Sequence, residues 1–180
     1  MLQEFANQIN KTVQKAIGGV HTAMPGKIVA FDMETCLATV QPMEKFKKPD
    51  GSSIDFPQIS GVPIVFPQST NAAIAWGIQP GDGCLLIFAE SALDYWMYGK
   101  ETDTVLKFDL SNAIAIPGLS ASGNPVMQKA CRENAVFIQC GKTELAIKQD
   151  GISISGGFVI NGDVTINGSL TTQGGTVNLN

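Results

Sequence analysis

The side chains that could carry out chemistry are few and scattered. The chain has one histidine, His21, so a Ser–His–Asp or Cys–His arrangement would depend on it, and no nucleophile motif lies nearby. Residues 141–143 (GKT) match the end of a phosphate loop, but Val136 stands where that loop needs its first glycine. The sequence therefore predicts no catalytic residue of these two kinds.

Carboxylates and cysteines add little to this picture. Asp82, Glu90, Asp94 and Glu101 could pair for glycosidic chemistry, but scattered acids on a domain surface are typically solvated. The four cysteines, Cys36, Cys84, Cys131 and Cys140, lack metal-ligand spacing and indicate reduced, buried thiols. We expect no enzyme activity, no metal site and no cofactor.

Composition favours a subunit of an assembly. Only 16% of the 180 residues are charged, which is low for a free monomer, and the net charge is −4. Nucleic-acid binding needs clustered Lys and Arg, and the densest cluster, at Lys45, Lys47 and Lys48, is typical of a solvated hairpin tip. The sequence shows no targeting signal or apolar run of membrane-spanning length. We expect a protein made in the cytoplasm that stays there or leaves inside a larger particle, with no nucleic-acid partner.

The last part of the chain repeats a short unit of two apolar residues separated by one position, followed by a turn of Gly, Asn or Asp. The apolar pairs begin at residues 145, 152, 158 and 164, at steps of seven, six and six. The alternation has the period of a β-strand, and glycine and asparagine supply the positive φ of tight corners. Such a short repeat predicts a stack of β corners, which is a β-helix or β-prism.

We expect three chains to share this tail. One chain could wind only about two coils, and burial of its apolar pairs would not offset the cost of ordering the backbone. Three interleaved chains would bury every pair and satisfy the edge hydrogen bonds. The competing interpretation is a single-chain hexapeptide β-helix, as in acyltransferases. The predicted trimer core is Leu145, Ile147, Ile152, Ile154, Phe158, Ile160, Val164, Ile166, Leu170, Val177 and Leu179.

The rest of the chain divides into a helix, a barrel and a linker. A four-three apolar spacing ended by Gly18 and Gly19 predicts a helix over 1–19, which either self-associates or docks on a partner, or folds back on its own domain. Strand patterns follow at residues 27–31, 36–42, 54–66, 72–76, 84–89 and 105–116, with a short helix over 91–98. They predict an OB-type barrel over 20–119, a linker over 120–133 and a β-helical spike over 134–180. The predicted barrel core is Trp76, Phe88, Trp96 and Phe108.

Three segments resemble the phage Gp138-type spike proteins. They are residues 62–67 (VPIVFP), residues 79–88 (QPGDGCLLIF) followed by 93–96 (LDYW), and residues 108–118 (FDLSNAIAIPG). The resemblance implies the central spike of a contractile tail baseplate: an OB barrel followed by a trimeric β-helix that caps the tail tube and pierces the host envelope. It further implies a virion location, a baseplate hub protein as partner at the barrel end, and transient contact with the host envelope.

One family feature is missing. Many tail spikes end in a His-x-His pair that holds iron at the apex, whereas this sequence ends in Asn178-Leu179-Asn180. Either the point is blunt or a separate tip protein caps the C-terminus.

A second functional interpretation is an OB-fold carbohydrate-binding module on a β-helical stalk, because Trp76, Tyr95, Trp96 and Tyr98 could stack on sugar rings.

Overall fold

The computed structural model describes residues 2–48, 50–100 and 106–175, and it is mainly β with an N-terminal helix. The chain divides into two units, residues 1–122 and 123–180. The first contains α1 (Leu2–Gly18), β1 (Ala23–Asp32), β2 (Leu37–Pro42), β3 (Lys45–Lys47), β4 (Ser53–Asp55), β5 (Ile59–Pro63), β6 (Gln68–Ser69), β7 (Ala72–Ala73), β8 (Gly83–Phe88), α2 (Asp94–Tyr98), a 3-10 turn (Leu110–Asn112) and β9 (Ala113–Pro117). The second contains α3 (Pro125–Glu133), β10 (Val136–Cys140), β11 (Thr143–Lys148) and β12 (Gly151–Ser155). In the described part of the chain, no helix has the length and apolar character needed to cross a membrane.

The main sheet of the first unit has five strands in the order β5-β2-β1-β8-β9, all paired antiparallel. One parallel bridge joins Ile64, just after β5, to Ala115 in β9, and the Val65 N–H donates to the Ala115 carbonyl at 2.9 Å. Register shifts between Ile28 and Ala30, and between Ala38 and Val40, mark bulges that help the sheet to curl. The sheet therefore forms a partly closed barrel.

Alternation of apolar and polar residues places the core inside this barrel. Every second residue of β2 and β8 is buried, as a half-buried strand requires. The buried apolar residues are Met24, Ile28, Ala38, Val40, Ile59, Val62, Ile78, Cys84, Leu86, Phe88, Ala113 and Ala115. Burial raises the pKa of the Cys84 thiol to about 11. The prediction that all four thiols are buried is wrong, because Cys36, Cys131 and Cys140 are exposed.

The barrel-core prediction is correct for Phe88 and wrong for the two tryptophans. Phe88 is 3% exposed and Phe108 is partly buried, whereas Trp76 is 51% and Trp96 77% exposed. Trp76 lies in the segment after β7, where its ring meets the Phe66 ring edge-on, with ring centroids 4.8 Å apart. Trp96 lies on α2, a helix that buries none of its residues.

Several element boundaries differ from the sequence expectations. The strand expected over 54–66 is divided into β4 and β5, and the strand expected over 72–76 is only β7. Of the strand expected over 105–116, residue 105 lies outside the described residues, and the described part forms a strand only in β9. The 3-10 turn precedes β9, and Asp109 accepts a hydrogen bond from the Ser111 N–H at 2.9 Å. The helix expected over 91–98 is the shorter α2, preceded by Leu93 rather than a capping Ser91. The N-terminal helix is confirmed as α1.

The linker expected over 120–133 contains helix α3 instead. The Asn124 side chain accepts hydrogen bonds from the N–H groups of Val126 and Met127, and Pro125 occupies the first turn. Asn134 ends the helix in the left-handed conformation at φ +48°. The Asn-Pro pair was the sequence signal for this helix.

Candidate functional site: exposed apolar surfaces

The side chains with catalytic potential make local structural contacts. The His21 ring packs between aromatic rings, 5.7 Å from Phe56 and 5.6 Å from Phe88 between centroids. The Asp82 carboxylate accepts a hydrogen bond from the Gln79 N–H at 2.8 Å and so closes the turn before β8. The Glu90 carboxylate forms an exposed ion pair with Lys107 at 3.0 Å.

The remaining candidates are also placed. Gly141, at φ +58°, and Lys142 form the two-residue turn between β10 and β11. Asp94 begins α2, and Glu101 lies outside the described residues. Among the residues that the structure describes, no group of three or more His, Cys, Asp or Glu side chains could hold a metal ion.

Large exposed apolar surfaces are the features of this chain that call for a function. In the second unit, β10, β11 and β12 form an antiparallel sheet in which Val136 pairs with Ile147 and Ile147 with Ile152. In the neighbouring row, Ile138 pairs with Leu145 and Leu145 with Ile154. Paired residues of an antiparallel sheet share a face. The apolar sheet face therefore consists of Val136, Ile138, Leu145, Ile147, Ile152 and Ile154.

The chain leaves this face open. Leu145 is partly buried, and the other five side chains are between 41% and 68% exposed. Contiguous exposed aliphatic surface is rare on monomers and marks interaction sites. Four of the predicted trimer-core residues share the face, although the trimer itself stays a prediction. Sequence reasoning missed Val136 and Ile138, whose alternation continues the same pattern toward the N-terminus.

Helix α3 covers the opposite face of the same sheet. The Lys129 ammonium lies 2.7 Å from both carboxylate oxygens of Glu144 and 4.5 Å from the centroid of the Phe137 ring. A second ion pair joins Lys148 to Glu133 at 2.6 Å. This hydrogen bond lowers the pKa of Glu133 and raises that of Lys148. Because α3 packs on one face of the sheet, the apolar sheet face is the face that stays uncovered in the described residues.

The chain beyond β12 adds more exposed apolar side chains. Residues 156–175 contain no helix or strand and are all exposed. They include five predicted trimer-core residues, Phe158, Ile160, Val164, Ile166 and Leu170; the other two, Val177 and Leu179, lie outside the described residues. Positive φ recurs every six residues, at Gly156, Gly162, Gly168 and Gly174. The six-residue corner spacing is therefore present, but the described chain does not wind into a β-helix.

Helix α1 carries another such surface. Leu2, Phe5, Ala6, Ile9, Val13, Ala16 and Ile17 follow one side of the helix, and we refer to them as the α1 stripe. No residue of α1 is buried.

The five-stranded barrel is the part of the chain with known relatives. Residues 24–118 match the family model described as the phage protein Gp138 N-terminal domain, and the match covers more than half of the 180 residues. The chain belongs to this family. A comparison with curated proteins found no match.

The first and last residues of the Gp138 match agree with the strand boundaries in the structure. It begins one residue into β1 and ends one residue after β9, so it coincides with the five-stranded barrel. The resemblance noted in residues 62–118 to a phage Gp138-type protein is thereby confirmed. Both α1 and the apolar sheet face lie outside the match.

The Gp138 domain has exposed aromatic surface of its own. Phe31, Ile64, Phe66, Trp76 and Ile78 help to line an apolar pocket of about 480 Å³. Tyr95, Trp96 and Tyr98 are all exposed on α2.

Proposed function

We propose that this protein is the central spike of a contractile phage tail, a homotrimer that caps the tail tube at the baseplate and pierces the host envelope mechanically. The observation that carries the proposal is the apolar sheet face, open on one side of a sheet whose other side α3 covers. Membership of the phage Gp138 family supports the same role. The protein acts without enzymatic chemistry, metal or cofactor.

The uncovered apolar surface of the second unit supports the proposed trimer. Burial of aliphatic side chains is the main source of stability for a sheet this small. Three copies of the apolar sheet face, turned toward a common axis, would bury both cross-strand rows at once. The exposed chain of residues 156–175 would then find its backbone partners on neighbouring chains, as a β-prism requires.

The barrel supplies the second part of the proposal. The strand order β5-β2-β1-β8-β9, with the parallel bridge between Ile64 and Ala115, supports an OB-type barrel, which is a five-stranded and partly open structure. In a spike, three such barrels form the collar that meets a baseplate hub protein. The C-terminal tail points toward the envelope, with or without a separate tip protein, and the assembled protein is part of the virion.

The mass of the full-length protein in solution tests the trimer. Sedimentation equilibrium should give three times the 19.1 kDa chain mass, and the species should resist SDS without heating. A stable monomer would overturn the proposal. Gold-labelled antibodies raised against the chain should also bind the distal end of the tail on intact particles of the source phage, and labelling confined to the head would contradict the spike role.

The exposed α2 aromatics favour one second candidate function. Trp96 and its neighbours Tyr95 and Tyr98 offer flat faces of the kind that stack on sugar rings, so the barrel could bind an envelope oligosaccharide. A glycan array probed with the full-length protein tests this, with Trp96→Ala as the matched variant. Binding that the variant loses would support the candidate, and an array without signal would remove it.

A further inference from the structure

Helix α1 requires a partner that the Gp138 domain does not provide. The five large side chains of the α1 stripe, Leu2, Phe5, Ile9, Val13 and Ile17, are between 46% and 87% exposed. A helix of 17 residues is marginal in water unless its apolar face is packed. Something outside the described contacts of this chain must therefore cover the stripe.

The distribution of charge around α1 identifies what can cover it. At 100° per residue the α1 stripe spans an arc of about 120°. The three charged residues, Glu4, Lys11 and Lys15, all project from the opposite side of the helix. Neutral residues such as Asn10 and Thr12 flank the stripe. Identical copies of α1 can therefore pack side by side without bringing like charges together.

The spacing along the stripe also fits helices that pack in register. Leu2, Ile9 and Ala16 recur every seven residues, and Ala6 and Val13 repeat at the same interval between them. In heptad terms the first set occupies d positions and the second a positions. A β-branched Ile at a central d position disfavours a two-stranded coil and favours three or four strands.

We propose that α1 packs against the α1 helices of two further copies of this chain in a parallel three-stranded coiled coil. The inference rests on the proposed trimer, since it requires three chains in one particle. A membrane surface is the main competing occupant. Helices that lie in a membrane interface carry a polar face rich in Lys and Arg, whereas the polar face of α1 is mainly Asn and Gln, with two lysines and one glutamate.

Disulfide trapping in the full-length protein tests the packing. The exposed cysteines Cys36, Cys131 and Cys140 are first replaced by serine, and the buried Cys84 is kept. Ala6→Cys then places a thiol within the α1 stripe, and the matched control Asn7→Cys places it on the polar side. Equivalent thiols at position 6 should oxidise to a crosslinked dimer about tenfold faster than those at position 7, because a disulfide forms only when the two Cα atoms approach within about 7 Å.

The outcomes separate this inference from the proposed function. A trimer by sedimentation in which Ala6→Cys and Asn7→Cys crosslink equally slowly would overturn the coiled coil and leave the spike proposal standing. A monomer would overturn both. Co-sedimentation with vesicles of phosphatidylcholine and phosphatidylglycerol that Ile9→Asp abolishes would assign the stripe to a membrane and contradict the coiled coil. Preferential crosslinking at position 6 in a trimer supports it.

Discussion

Substitution of Ile154 by Asp is the sharpest test of the apolar sheet face. Ile154 lies in the row with Ile138 and Leu145 and keeps 41% of its surface exposed. Complete burial of an isoleucine contributes about 1.5–3 kcal/mol, so covering the exposed part in a trimer contributes about 0.6–1.2 kcal/mol per chain, or about 2–4 kcal/mol per trimer. An aspartate at position 154 does not provide this stabilisation.

The new charge adds a larger penalty. Three carboxylates would face one another in the interface, and an unpaired charge in such a setting costs about 3–5 kcal/mol. The trimer should therefore be weaker by at least about 5 kcal/mol, which corresponds to roughly three and a half orders of magnitude in the association constant. Sedimentation equilibrium at micromolar concentration should show Ile154→Asp mainly as a monomer at neutral pH.

The matched control is Ser153→Asp. Ser153 is adjacent in sequence, exposed, and paired with Ala146 on the face that α3 covers, so the same charge there should leave the trimer intact. Acid should also rescue Ile154→Asp. Three aspartates crowded together in the trimer would each have a pKa above that of an aspartate in the free chain. Association of Ile154→Asp is therefore favoured at a pH below the free-chain pKa and is lost as the pH rises through the raised pKa of the trimer. A trimer unaffected by Ile154→Asp, or equal dissociation of both variants, would refute the assignment of the face.

Three further predictions concern folding. Gly26→Ala should lower the free energy of unfolding in a urea titration by about 1–3 kcal/mol, since a Cβ at this position would lie 2.7 Å from Val40 Cγ1 and 3.0 Å from Cys84 Sγ. Gly77→Ala is the control, and it should be near neutral in the same titration because the nearest atom to its Cβ is 4.0 Å away. Lys129→Met should destabilise the second unit by about 1–3 kcal/mol in chemical denaturation, because it leaves the partly buried Glu144 unpaired, and adding Glu144→Gln should recover part of the loss. Asp109→Ala should lower the free energy of unfolding by about 1 kcal/mol at neutral pH, because it removes the cap of the 3-10 turn. Hydrogen bonds from Ser111 lower the pKa of Asp109 below 3.8. The contribution of Asp109 to stability is therefore present above pH 3.8 and is lost as the pH falls through the lower pKa of the folded state. A wild-type and Asp109→Ala difference that is unchanged in acid would contradict this account.

The parts of the fold that sequence reasoning predicted are those with strong local patterns. The alternation in β2 and β8 and the four-three spacing of α1 each follow from which side of the element meets water. The turn before β8 depends on Gly81, which adopts φ +103° and whose N–H donates to the Ile28 carbonyl at 2.8 Å.

The parts of the fold that sequence reasoning missed are those where two sequence signals favour different structures. The linker expected over 120–133 begins with Ser and Gly residues, and these obscure the Asn124 cap that begins α3. Residue type alone predicts that Trp76 and Trp96 are buried, but it does not show which elements are available to cover these two side chains. The predicted repeat begins at residue 145 and contains only part of the apolar sheet face, because β10 contributes to that face and precedes the repeat in the chain.

The repeat in the tail raises a question of register that the apolar sheet face can answer. Glycines at positive φ recur every six residues from Gly156 to Gly174, so three tails could pair equally well after a slip of six residues. Repetitive strands specify register weakly. The β10–β12 sheet does not repeat, because its turns at Gly141 and Gly151 and its ion pair from Lys129 to Glu144 occur once in each chain. A trimer held together at this sheet would therefore start all three tails at the same residue, and the six-residue units beyond it would follow in register.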